Sequence, residues 1–106
     1  MTDGHWATTS TEVPINEFSF IAVTYNADAT TNDPIFYRNA AVVAITEAAT
    51  PVGTRDSDTG EDLLIGNRSA GDKTWDNLIG EVWVYNRALT PLEIQHNYLT
   101  TKWRYR

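Results

Sequence analysis

Five short runs of β-branched and aromatic residues, each stopped within a few positions by Asn, Asp, Gly or Pro, confine this chain to an all-β architecture. The first, Phe-Ser-Phe-Ile-Ala-Val-Thr-Tyr at 18–25, puts Phe18, Phe20 and Ala22 on one face and Ile21, Val23 and Tyr25 on the other. Both faces are apolar, which predicts a central strand covered on two sides. Residues 35–38 and 41–45 follow, separated by Asn39-Ala40. That is hairpin spacing, with Ala where a type I′ turn prefers Gly. Residues 63–65 predict a short strand stopped by Gly66, and 78–86 the last long one. In it Val82 and Val84 share one face, while Ile79, Glu81, Trp83 and Tyr85 share the other.

Between these runs the chain is polar. Residues 1–17 are turn-rich, with Pro14 interrupting regular pairing and Trp6, Val13 and Ile15 as the anchors. Residues 26–34, 46–62 and 67–77 read as loops. The one helical signal is Thr90-Pro91-Leu92-Glu93: Thr at the N-cap, Pro at the first helical position and Glu three residues after the cap form a capping box. It predicts a short helix near 91–99, followed by a basic aromatic tail over 100–106. Short strands, turn-rich loops and one terminal helix together predict an antiparallel β-sandwich in a single domain over 1–106.

Composition narrows the function classes. Eight Lys and Arg against 14 Asp and Glu give a net charge of −6, the wrong sign for neutralising a nucleic-acid backbone. No apolar run approaches the ~20 residues of a membrane span. The opening residues have neither the basic region nor the apolar stretch of a signal peptide. With no cysteine there is no disulfide, thiolate metal site or Cys nucleophile, and the redox compartment stays open. A chain of 106 residues buries only ~65% of its unfolded surface, so its aromatic residues must supply much of the core.

Three stretches resemble the laminin G-like domains of the concanavalin A-like lectin/glucanase superfamily. Residues 18–26 resemble the family's W-x-H-V-A-V-T-Y-D strand, with Phe18 and Phe20 in place of Trp and His. Phe36-Tyr37-Arg38-Asn39-Ala40 resembles its Y-V-D-G hairpin. Leu63-Leu64-Ile65-Gly66-Asn67, then Trp75 through Ile94, resembles L-x-I-G … F-x-G-x-I-D-E-V-R-I-Y-N-R-A-L-T-x-x-E-I, with Asn77 replacing a Gly and Gly80 an Asp. The resemblance implies a jelly roll, shortened because the chain matches only the C-terminal part of the family pattern. It also implies an extracellular, cell-surface or virion setting. A shortened sandwich leaves strand edges and apolar surface in water. The expectation is therefore a homodimer, or docking on a partner chain.

The glucanase pattern E-x-D-x-x-E is missing: Glu61-Asp62 and the lone Glu81 do not reproduce it, which predicts a noncatalytic protein. For carbohydrate, or for an interface, the candidates are Trp83 and Tyr85 as stacking platforms, with Asn67, Arg68 and Asp72 to hold hydroxyls. The alternative is that the two rings pack under neighbouring elements. The acidic stretch with Asp56, Asp58 and Asp62 around Gly60 concentrates hard oxygen ligands and suits calcium; the alternative is a solvated loop. The leading expectation is a noncatalytic lectin-like module for carbohydrate or protein surfaces. Its rival is a structural or assembly protein in which the sandwich supplies only subunit contacts.

Overall fold

The structure is a computed structural model that describes residues 3–105. Met1, Thr2 and Arg106, parts of the expected N-terminal segment and tail, lie outside the described residues. Among the described residues five antiparallel strands form two sheets, and one α-helix follows. The strands are β1 (His5–Thr8), β2 (Ile21–Thr24), β3 (Ile35–Arg38), β4 (Ala41–Val43) and β5 (Ile45–Ala49). The helix α1 spans Pro91–Thr101 and ends in a 3-10 turn over Lys102–Arg104. The larger sheet has the order β2-β3-β4, and β1 pairs with β5 in the smaller. This is the expected class, antiparallel β with a short C-terminal helix.

The hairpin forms where its sequence places it. Tyr37 pairs with Val42 and Arg38 with Ala41, and both turn residues have positive φ, 50° at Asn39 and 67° at Ala40. Asn suits that region and also anchors the turn. Its N–H donates to the Phe20 carbonyl at 2.8 Å, and its Oδ1 accepts from the Phe20 N–H at 3.0 Å. Ala40 makes no such bond, and its Cβ in the left-handed region costs roughly 1–2 kcal/mol, more than the contact of its one methyl with the core returns. Ala40→Gly is therefore expected to stabilise the fold by about 0.5–1 kcal/mol, read as a higher denaturation midpoint at unchanged slope.

The core sits where this sheet meets the helix. Tyr37, Leu89 and Ile94 are buried, and Phe20, Ala22 and Ala40 pack against them. The Phe20 and Tyr98 rings are 5.7 Å apart. α1 starts as its capping box dictates: the Thr90 hydroxyl accepts from the Glu93 N–H at 3.2 Å, and Glu93 Oε1 accepts from the Thr90 N–H at 3.0 Å. Arg87 adds an ion pair to Glu93. Arg87 above all, and then the Thr90 N–H, hold the Glu93 carboxyl down at about 2.

Four details differ from the sequence reading. β2 is an edge strand: Ile21 and Val23 stand 60% and 63% exposed, while Ala22 and Thr24 face inward. The N-terminal segment supplies a strand, and Ile15 is exposed instead of anchoring it. The run at 41–45 breaks at Ala44, and the chain continues as β5 into the smaller sheet through residues whose polarity suggests a loop. Finally, residues 63–65 and 78–86 belong to no ladder. Strand propensity supplies half of a β pair, and without a neighbouring backbone in register these segments stay unpaired.

Candidate functional site

Residues 13–28, residues 75–89 and the inner side of α1 with the turn after it line an open cleft of about 2160 Å³. β2 lines it along its whole length, whereas β3 and β4 do not, so the cleft follows the strand's unpaired edge. Phe18, Phe20, Trp75, Val82, Trp83 and Tyr85 all line it. Trp83 is 43% and Tyr85 48% exposed. Among the described residues, no main-chain hydrogen bond joins residues 79–86 to another segment.

The end of the chain clasps this segment. Arg104 pairs with Glu81, and the Tyr105 ring lies over Gly80 and 4.9 Å from Phe18. A Cβ at residue 80 would collide with that ring. This accounts for Gly at a position where the resembling pattern has Asp. The sequence reading missed the clasp, although an isolated Gly inside a strand-like run is the sign of a close approach. Trp103 stays exposed, with Lys102 Nζ 4.7 Å from its ring centre.

The five sugar candidates fall into two groups. Asn67, Arg68 and Asp72 organise their own loop. Asn67 Oδ1 accepts from the Arg68 and Lys73 N–H groups at 2.9 and 3.0 Å, its Nδ2 donates to Thr74 at 3.1 Å, and Arg68 grips Asp72 through two 2.5 Å bonds. None of the three lines the cleft, whereas Trp83 and Tyr85 do. Tyr85 is also tied to α1, its hydroxyl accepting from Asn97 Nδ2 at 3.2 Å.

The titratable groups carry chemical information. General acid catalysis by a carboxyl needs a raised pKa. Here the perturbed carboxyls all move down: Asp72 beside Arg68, Glu81 beside Arg104 and then Tyr105, and Glu93 beside Arg87. Burial, and then the bond to Glu81, push the Tyr105 hydroxyl up. Asp56, Asp58 and Asp62 lie on the loop after Arg55, where the Asp58 carbonyl accepts from the Glu61 N–H at 3.0 Å. Among the described residues, no three His, Cys, Asp or Glu side chains are grouped to hold a metal ion. No helix among them is long and apolar enough to cross a membrane.

Antiparallel sheets, a capped C-terminal helix and an open aromatic cleft define a small antiparallel β module. The chain matches the Laminin_G_3 family, described as the concanavalin A-like lectin/glucanases superfamily, over residues 1–95, and it belongs to that family. Laminin G-like members are generally noncatalytic. Comparison with curated proteins and with solved structures finds no match.

Proposed function

We propose that this chain is a noncatalytic contact module that binds a polypeptide surface through the cleft beside β2. The observation that carries this reading is the cleft's chemistry. It is lined by the free edge strand β2, by a segment with no main-chain partner among the described residues, and by exposed aromatic residues. The unpaired N–H and C=O groups of the β2 edge are complementary to another extended backbone, as in β-strand addition. Of the polar groups expected to hold sugar hydroxyls, Asn67, Arg68 and Asp72 are engaged with one another away from the cleft, so Trp83 and Tyr85 would have to orient a sugar without them.

A glycan array probed with the wild-type chain and Trp83→Ala tests this reading. The expected result is no saturable binding by either. Saturable binding by the wild type that disappears in Trp83→Ala would establish a lectin instead.

A further inference from the structure

We propose that the polypeptide seated in the cleft is a second copy of this chain, with the two β2 strands running antiparallel across a two-fold axis. The proposal deepens the reading of the cleft as a polypeptide-binding face and rests on it. Its first support is area. The chain exposes 8279 Å². A self-contained monomer of 11.9 kDa exposes about 5,900 Å², leaving an excess of roughly 2,300 Å². A standard interface covers about 800 Å² per partner, and obligate homodimers bury about 2,000–5,000 Å² in total. Two copies therefore have ample surplus for an obligate contact. The radius of gyration agrees: 15.0 Å, against about 13 Å for a compact chain of this length.

The second support is where the uncovered surface lies. Ile21 and Val23 share one exposed face of β2, and the exposed Val82, Trp83 and Val84 line the same cleft. Antiparallel pairing of β2 with itself is isologous, so each copy offers the same edge and the same two side chains. It joins two three-stranded sheets into one continuous sheet and pairs the β2 edge of each copy, leaving β4 as the outer edge.

Charge permits the contact. The net charge of −6 opposes self-association in general. The cleft walls, however, carry Glu17, Asp28, Asp76 and Glu81 against Arg55, Arg87 and Lys102, close to balance. Glu17 is paired with Arg38, and Glu81 with Arg104. The acidic cluster Asp56, Asp58, Glu61 and Asp62 is off the cleft.

Sedimentation equilibrium on the full chain, with Val23→Lys and Val42→Lys beside it, tests the proposal. Both side chains are exposed in the single chain, so neither change removes core packing. The wild type is expected at twice 11.9 kDa at micromolar concentration. Val23→Lys places two charges in the shared edge and is expected to weaken association at least about 100-fold, while circular dichroism stays unchanged. Val42→Lys, on the opposite edge strand, is expected to remain a dimer. A folded wild-type monomer at 100-fold higher concentration, or a dimer broken by Val42→Lys and not by Val23→Lys, overturns the proposal. Failure of the broader reading shows elsewhere, as glycan binding through Trp83.

Discussion

Ile94→Ala is expected to remove much of the stability of this fold. Ile94 is 3% exposed, and only Tyr37 and Leu89 join it as buried apolar residues among those described. Truncating a buried Ile costs about 2–5 kcal/mol, combining lost transfer energy with the cavity left behind. A chain of this size has about 5–15 kcal/mol in total, and one with so little buried sits near the lower limit. The substitution is expected at the upper end of its range, because Phe20, Ala22 and Ala40 approach the same site from the sheet and the turn, where hydrogen bonds limit collapse. Leu99→Ala on the same helix is the control: that side chain is 44% exposed, and the expected loss is below about 1 kcal/mol. Urea denaturation at one fixed protein concentration measures both, since self-association would make apparent stability depend on concentration. A loss below 1 kcal/mol for Ile94→Ala would show that the core lies elsewhere.

Gly80→Ala is expected to release the C-terminal clasp. The added methyl occupies the volume of the Tyr105 ring, so either the ring leaves Phe18 or residues 79–81 shift. Overpacking of this kind costs about 1–3 kcal/mol, or roughly 4–8 °C of melting temperature per kcal/mol in a chain this small. A double-mutant cycle with Tyr105→Ala separates the clash from any effect of Gly on the backbone. Once the ring is gone, Gly80→Ala is expected to be neutral or stabilising, because a glycine in an extended segment carries an entropic penalty of about 0.5–1 kcal/mol. Equal losses in both backgrounds would sink the explanation.

What the sequence reveals of this fold follows how local each signal is. Thr90-Pro91-Leu92-Glu93 contains both halves of its capping interaction, so the start of α1 is legible directly. The helix continues past the expected Leu99 to Thr101, because its end is set by burial of Thr101 and by the 3-10 turn, not by a stop residue. Asn39-Ala40 similarly fixes the β3–β4 register. The segments at 45–49 and 78–86 show the opposite case. Ile-Thr-Glu-Ala-Ala carries little strand signal, yet it pairs with β1. Val-Trp-Val-Tyr carries a strong one and has no ladder partner. At the candidate site, the sequence leaves open whether Trp83 and Tyr85 pack under neighbouring elements or face outward, and the structure leaves them 43% and 48% exposed. The place of Phe18 and Phe20 in the same cleft and the clasp of Arg104 and Tyr105 arise from contacts between distant positions, which composition does not encode.

The pairing of β1 with β5 has a topological consequence. Strands β2, β3 and β4 all lie between those two in sequence, so the three-stranded sheet is an excursion whose neck is fastened by the smaller sheet and by the Thr9 N–H to Ala44 carbonyl bond at 3.1 Å. Closing such a loop is the main entropic cost, but that cost rises only logarithmically with length, by about 0.6 kcal/mol per doubling. Extra residues in the polar turn at 26–34 therefore cost little, whereas loosening the neck sets the whole excursion free at once.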